Sequence, residues 1–304
     1  MKMIVAVIQE AVSSNDKATN LALTEKRIRD AAQSGAQLVL LQELHSTLYF
    51  CQVQSPHYFQ MAESLDGSTC LALERLAKEL NIVLVGSIFE KRAAGVYHNT
   101  AVVFDGNKGM VGYYRKMHIP DDPGFNEKYY FTPGDALKNG ENPYKPIQTS
   151  VGKLGVLICW DQWYPEASRL AALQGADFLL FPTAIGWHPA DTSDEQRRQQ
   201  DAWTLIQRSH AVANHIPVLV ANRTGFELSP GAHSDKPELG IQFWGQSFIT
   251  GQQGDILAMA SHNEEGSLLA EVDMSRSETL RQMWPYFRDR RIDTFSDLAK
   301  RYID

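Results

Sequence analysis

The chain has 304 residues, of which 43% are hydrophobic and 21% are charged, as is ordinary for a globular protein. Its formal net charge of −7 argues against a nucleic-acid-binding protein, because such proteins usually carry a basic surplus or stripe. No apolar run approaches the roughly 18 residues of a membrane span, and the N-terminal segment is too short and strand-like for a signal peptide. Three cysteines are too few for a disulfide framework, so we expect a cytoplasmic protein that binds neither nucleic acid nor membrane.

Strand-like and helical patterns alternate through the first half of the chain. Runs of apolar and β-branched residues predict strands, and apolar residues at helical spacing predict the helices between them. In chain order we expect a strand at 4–8, a helix at 16–32 with Gly35 as its C-cap, a strand at 38–41, a helix at 68–80, and strands at 82–88, 96–104 and 110–116, the last two joined by a hairpin turn at 105–109.

A long loop at 120–146 separates the two halves. It is rich in Pro, Gly and Asp, and its aromatic residues favour an ordered, functional loop. The second half repeats the rhythm of the first without repeating its sequence. It predicts a strand at 154–158, a helix at 165–174, a strand at 178–181, a helix at 193–213, strands at 218–221, 243–250, 256–260 and 267–272, and a C-terminal helix.

This order of elements predicts an α/β fold with helices layered over sheets. The strands at 38–41 and 154–158 are almost entirely apolar, which is typical of sheets covered on both faces. Two sheets packed back to back, each covered outside by helices, would bury both faces. We therefore expect a single domain over residues 1–304, built as a four-layer αββα sandwich.

Cys159 is the first candidate for chemistry. It lies where a buried strand ends and just before a helix, and strand ends of this kind face the ligand crevice in α/β folds. A helix N-terminus nearby would favour its thiolate. The alternative is a buried structural cysteine, which is the commoner role of a lone Cys and the one we assign to Cys51 and Cys70.

Glu43 and Lys116 also follow strands. A carboxylate after an apolar strand is costly unless it is paired, so Glu43 is either a general base or a side chain that turns to solvent. Lys116 either stabilises a developing oxyanion or is an ordinary solvated lysine. His118 is a rival base, or a loop histidine with its hydrogen bonds satisfied, which we favour.

Together, Glu43, Lys116 and Cys159 provide a base, an electrostatic stabiliser and a nucleophile, which are the parts needed for acyl transfer. This chemistry needs no metal and no cofactor. The sequence contains no cluster with zinc-ligand spacing, no P-loop and no dinucleotide-binding glycine pattern.

Three segments around these residues resemble the signature segments of the nitrilase (carbon–nitrogen hydrolase) superfamily. They are Leu41-Gln42-Glu43, Arg115-Lys116-Met117-His118-Ile119-Pro120 and Gly155-Val156-Leu157-Ile158-Cys159-Trp160-Asp161. The resemblance extends over nearly the whole chain. It implies a Glu43–Lys116–Cys159 triad, an αββα fold and assembly into homo-oligomers built from dimers.

The loop from Lys116 to Asp135 is similar to that of the N-carbamoylputrescine amidohydrolase branch, although Asn126 replaces a bulkier aromatic residue. This resemblance implies hydrolysis of a small carbamoylated amine, with Glu127 as a second, supporting glutamate. We expect the backbone N–H of Trp160 to help hold the oxyanion. Asp121 and Asp122 are candidates to bind the distal ammonium, unless they only form the turn before Pro123.

Three other functions remain open on the sequence alone. A β-ureidopropionase-like or carbamoyl-amino-acid hydrolase would need an arginine in place of the acidic pocket, because its substrate carries a carboxylate. An ω-amidase would act on a simple aliphatic amide. A non-catalytic binding protein could use the same fold.

Overall fold

The computed structural model describes residues 2–135, 142–188, 190–232 and 239–303. The strands of these residues are β1 (Lys2–Gln9), β2 (Leu38–Leu40), β3 (Val83–Ala93), β4 (Val96–Asp105), β5 (Gly109–Arg115), β6 (Ile147–Thr149), β7 (Gly152–Val156), β8 (Phe178–Pro182), β9 (Gly186–Trp187), β10 (Val218–Ala221), β11 (Thr224–Leu228), β12 (Gly240–Trp244), β13 (Phe248–Thr250), β14 (Ile256–Met259) and β15 (Gly266–Asp273).

The helices flank and connect these strands. The α-helices are α1 (Lys17–Gln33), α2 (Ser68–Leu80), α3 (Glu127–Tyr130), α4 (Pro165–Leu173), α5 (Ser193–Asn214) and α6 (Ser275–Met283), and the 3-10 helices are Phe50–Gln52, Pro56–Met61, Cys159–Trp163, Ile292–Thr294 and Ser296–Ala299. No helix within the described ranges is long and apolar enough to cross a membrane.

Two six-stranded sheets form the centre of the molecule. The first has the strand order β15-β1-β2-β3-β4-β5 and the second β14-β13-β10-β8-β7-β6. Strands β1, β2 and β3 are parallel to one another, as are β7, β8 and β10. A third, three-stranded sheet, β11-β12-β9, lies beside them.

Side chains alternate across the first sheet in a way that defines the layers. Val5 and Leu40 belong to the core shared with the second sheet, whereas Ala6 and Val39 pack with residues of α1 and α2. Residues of α4 and α5 join the core on the side of the second sheet. The predicted four-layer αββα sandwich is therefore confirmed.

Most predicted elements are observed with bounds that differ by a few residues, but the strand expected at 243–250 is wrong. The chain forms two strands there, β12 in the small sheet and β13 in the second large sheet. Gly245 and Gln246 between them have φ of +59° and +48°, so the extended backbone is interrupted. The strands β6, β9 and β11 were not expected.

Two details of the loop predictions also change. Helix α1 has Ser34 as its C-cap, and Gly35 follows it with φ of +90°, a value that suits glycine. The loop expected at 120–146 contains the short helix α3, and its residues 136–141 lie outside the described part of the chain.

His45 lies two residues beyond Glu43 and is fully buried in the first half of the fold. Neither of its ring nitrogens has a hydrogen-bond partner among the described residues. Burial, together with the positive charges of Arg223 and Lys17, lowers the pKa of His45 to about 3. The imidazole is therefore neutral in the folded protein at neutral pH.

We predict that His45 makes the protein sensitive to acid. Its pKa is about 3 when folded and about 6.5 when unfolded, so between these values the unfolded chain binds the extra proton. This stability is present above pH 6.5 and is lost as the pH falls toward 3. Lowering the pH from 7 to 5 should cost the wild type roughly 2 kcal/mol more than His45→Leu. Urea unfolding of both proteins at the two pH values measures this, and equal losses would contradict it.

Candidate active site

Glu43, Lys116 and Cys159 meet at one edge of the sandwich. Glu43 and Cys159 each lie three residues beyond the end of their strand, β2 and β7, and Lys116 directly follows β5. Strands β2, β3 and β5 run in the same direction, so their carboxyl ends share this edge. All three side chains are buried, as is Glu127.

The ammonium of Lys116 lies between two carboxylates. Its Nζ is 2.8 Å from Oε1 of Glu43 and 2.6 Å from Oε2 of Glu127. Burial disfavours the charged lysine, but the attraction of Glu127 and Glu43 outweighs it and raises the pKa of Lys116 well above its usual range. Burial also raises the pKa of Glu127 to about 7, against the opposing effect of Lys116.

Glu43 keeps one oxygen available. Its Oε1 accepts hydrogen bonds from Lys116 and from Nδ2 of Asn99, the latter at 2.6 Å. Its Oε2 has no hydrogen-bond partner within the described ranges. Asn99 was not predicted from the sequence, although a polar residue in the middle of the mostly apolar strand β4 was a usable signal.

The thiol of Cys159 is held in its protonated form. Burial and the negative charge of Glu43 raise the pKa of Cys159 well above its usual range, against the effect of Lys116. The expectation that the helix N-terminus favours a thiolate is therefore wrong, because burial and the neighbouring carboxylate dominate. Cys159 begins the 3-10 helix Cys159–Trp163 with φ of +43°, beyond the strand that was expected to reach residue 158.

A second buried ion pair supports the turn after Glu43. Arg223 is fully buried, pairs with Glu227 at 2.6 Å, and donates hydrogen bonds to the carbonyl oxygens of Glu43, Leu44 and Thr47. Glu227 also accepts the backbone N–H of Tyr49 at 2.6 Å.

The hydroxyl of Tyr49 connects this ion pair to Glu127. It donates to Oε1 of Glu127 at 2.7 Å, so Arg223, Glu227 and Tyr49 form a chain that ends at the carboxylate beside Lys116. None of these three residues was predicted, because each comes from a segment whose position depends on the tertiary fold.

A cavity of about 720 Å³ opens beside the thiol. Cys159, Glu127, Trp160 and Asp122 line it, whereas Asp121 is not among the lining residues. Four titratable residues that were not predicted also line the cavity. They are His188, Asp191, Glu195 and Arg198, on α5 and the segment before it.

His118 does not line this cavity. Its Nδ1 is 2.7 Å from Oδ1 of Asp161, and its ring stacks on Tyr164 with centroids 3.7 Å apart. This geometry favours the interpretation of His118 as a loop histidine with satisfied hydrogen bonds. Cys51 and Cys70 are buried and unpaired. The described residues contain no group of three or more His, Cys, Asp or Glu side chains arranged to hold a metal ion.

Comparisons with known proteins identify the family of this chain. The family model for carbon–nitrogen hydrolases matches residues 4–282. An N-carbamoylputrescine amidase of Solanum lycopersicum is 41% identical over 97% of this chain and 94% of its own length. A citrullinase of Francisella tularensis is 40% identical over 98% of both chains. The crystal structure of a carbon–nitrogen hydrolase from Helicobacter pylori superposes with a TM-score of 0.92 at 47% identity and covers 100% of both chains. The chain therefore belongs to the carbon–nitrogen hydrolase family of enzymes.

Proposed function

We propose that the enzyme hydrolyses N-carbamoylputrescine to putrescine, carbon dioxide and ammonia. The observation that carries this proposal is a cavity with an acidic mouth that is lined by Cys159 and by Glu127, the partner of Lys116. Relatives that bear the name N-carbamoylputrescine amidase support the same substrate. One water molecule is consumed in each turnover, and its oxygen leaves in carbon dioxide.

In the first half of the proposed reaction, Oε2 of Glu43 takes the proton of the Cys159 thiol. A base is needed because the raised pKa of Cys159 keeps it protonated at neutral pH. The thiolate then attacks the ureido carbonyl carbon. The ammonium of Lys116 and the backbone N–H of Trp160 stabilise the oxyanion, and such a donor is worth about 100- to 1000-fold in rate.

In the second half, Glu43 passes its proton to the departing nitrogen, and the C–N bond breaks. A thioester-type intermediate on Cys159 remains, and Glu43 activates a water molecule that hydrolyses it. Glu127 orients Lys116 throughout, since its Oε2 is 2.6 Å from Nζ. If ammonia leaves first, the released N-alkylcarbamic acid decomposes to carbon dioxide and putrescine. If putrescine leaves first, carbamic acid decomposes to carbon dioxide and ammonia, so the products are the same.

The mouth of the cavity favours a cationic substrate. Among the described residues, the carboxylates of Asp122, Asp191 and Glu195 line it, against one guanidinium, that of Arg198. Arg198 is also paired with Glu195, with Nη2 and Oε2 2.8 Å apart. The surplus of negative charge attracts the distal ammonium of a carbamoylated diamine and repels a simple carboxylate such as β-ureidopropionate. Asp121 lies outside this set.

A second candidate substrate is a ureido α-amino acid such as citrulline. Arg198 could pair with the carboxylate of such a substrate while Asp191 or Glu195 binds its α-ammonium. The relative named citrullinase favours the same alternative. An aliphatic ω-amidase substrate, by contrast, has no group that would use the acidic mouth.

We predict that ammonia release is fastest with N-carbamoylputrescine when it is assayed beside citrulline, β-ureidopropionate and an ω-amide. Cys159→Ala should abolish turnover of every substrate, while Cys70→Ala, a buried cysteine outside the site, should keep it. Faster ammonia release from citrulline would show that citrulline, and not N-carbamoylputrescine, is the preferred substrate. Activity of Cys159→Ala would contradict the mechanism, and failure of an electrophilic thiol probe to label Cys159 would favour a non-catalytic protein.

A second prediction concerns the acidic mouth. The double change Asp191→Asn and Glu195→Gln should raise the KM for N-carbamoylputrescine about tenfold and change kcat little, because it removes attraction to the distal charge. Steady-state kinetics measure both constants. Asp194→Asn is the matched control, since Asp194 is exposed on the same helix and outside the cavity lining. An unchanged KM in the double variant would show that these carboxylates do not bind the ammonium.

We also propose that the enzyme is a cytoplasmic homo-oligomer. Helices α4 and α5 and the C-terminal segment carry exposed apolar side chains, among them Leu173, Leu205, Trp284 and Ile292. A second copy of the chain would cover such surfaces. The three unpaired cysteines fit a reducing compartment.

This assembly is tested by light scattering on the purified protein, which should give at least twice the mass of one chain. Leu205→Glu should reduce the mass to that of a smaller species, because it places a charge on the apolar surface of α5. Leu71→Glu, an equally exposed position on α2, is the control. A monomeric wild type would contradict the proposal.

A further inference from the structure

Asp161 carries a carboxylate that the proposed reaction does not use. It is fully buried and absent from the lining of the cavity. Four hydrogen bonds converge on it, two to each oxygen. Oδ1 accepts from the backbone N–H of His118 at 3.0 Å and lies 2.7 Å from Nδ1 of the same residue, and Oδ2 accepts from the hydroxyl of Tyr114 at 2.8 Å and the backbone N–H of Ile158 at 2.9 Å.

Two hydrogen bonds between Asp161 and Ile158 close a ring around Cys159. Oδ2 of Asp161 accepts the N–H of Ile158, and the N–H of Asp161 donates to the carbonyl of Ile158 at 3.0 Å. Cys159 lies inside this ring with φ of +43°. A left-handed conformation is unfavourable for a non-glycine residue, so it must be held by its surroundings.

The other contacts fix the segment that carries the lysine. Tyr114 lies two residues before Lys116 and His118 two residues after it, and both bond to the same carboxylate. Asp161 therefore ties the turn of Cys159, after β7 in one sheet, to the end of β5 in the other sheet.

We propose that Asp161 is a positioning residue that sets the spacing between the thiol of Cys159 and the ammonium of Lys116. Asp161 also fixes the turn that contains Trp160, whose backbone N–H is the second proposed oxyanion donor. This inference rests on the roles proposed above for Cys159 and Lys116. A misplacement of about 1 Å between reacting groups can cost about 100-fold in rate, which is why such a residue matters without touching substrate.

An asparagine cannot replace this carboxylate, although it has the same shape. Each oxygen of Asp161 accepts one backbone N–H, from His118 or from Ile158. The amide NH₂ of an asparagine would face one of these two donors in either orientation, and it can accept from neither. One backbone N–H would be left buried and unpaired, and the turn would shift.

Asp105 provides a matched control for this substitution. It is buried at the hairpin end of β4, and its two oxygens also accept one backbone N–H each, from Asn107 and Ser150. It lies six residues along β4 from Asn99, roughly 20 Å from the site. Asp105→Asn therefore creates the same local conflict at a distance from the chemistry.

The test compares Asp161→Asn with Asp105→Asn. Asp161→Asn should lower kcat for N-carbamoylputrescine by about 10- to 100-fold with KM within about twofold. It should also slow alkylation of Cys159 by iodoacetamide, followed by mass spectrometry of the peptide. Asp105→Asn should reduce thermal stability but leave kcat and the alkylation rate within about twofold of the wild type.

The inference is overturned if Asp161→Asn keeps the wild-type kcat, or if both variants lose kcat in proportion to their loss of stability. If Asp161→Asn does not fold, Tyr114→Phe is tested in its place. This change removes a single hydrogen bond to Asp161 and keeps the aromatic ring of residue 114. Tyr114→Phe should lower kcat several-fold at constant KM, and an unchanged kcat would equally overturn the inference. Activity of Cys159→Ala would instead show that the proposed function fails.

Discussion

The structure depends on one buried arrangement of charge, the ammonium of Lys116 between the carboxylates of Glu43 and Glu127. Taking ions out of water costs several kcal/mol each, and this cost is offset only where the partners are close and well placed. The distances of 2.8 and 2.6 Å satisfy that condition. Burial and the negative charge of Glu43 raise the pKa of Cys159 against the effect of Lys116, so the thiol is protonated at neutral pH.

The surrounding polar network holds these charges in place. Arg223 fixes the backbone after Glu43, and Tyr49 hydrogen-bonds to Glu127, through a chain that is buried along its whole length. Asp161 does the same for the segments of Lys116 and Cys159. Buried hydrogen bonds of this kind stiffen a site. Nε of Arg223 has no partner among the described residues, so the network is not fully satisfied. Glu43, Lys116 and Cys159 are thus supported from both sheets.

The sequence predicted the layers and the central residues because both depend on local patterns. Apolar runs identified the strands, and Glu43, Lys116 and Cys159 were identified because each follows a strand end. The protonation of Cys159 could not be predicted, because it depends on how deeply folding buries the thiol and on how close Glu43 then lies. Asn99, Arg223 and Tyr49 were missed for a related reason, since their partners are far away in the sequence.

The residues at the mouth of the cavity, on which the choice of substrate depends, could not be predicted from the sequence for the same reason. Helix α5 was predicted, but its periodicity does not say that Glu195 and Arg198 face the site of a cysteine more than thirty residues earlier. The bond that is cut depends on the buried residues at the strand ends, while the proposed distal contacts come from the loop after Lys116 and from α5. Because the two sets lie on different elements, charges at the mouth can change without disturbing the lysine and its carboxylates. The chemistry and the choice of substrate are therefore separable in this fold, and the family alone fixes only the first.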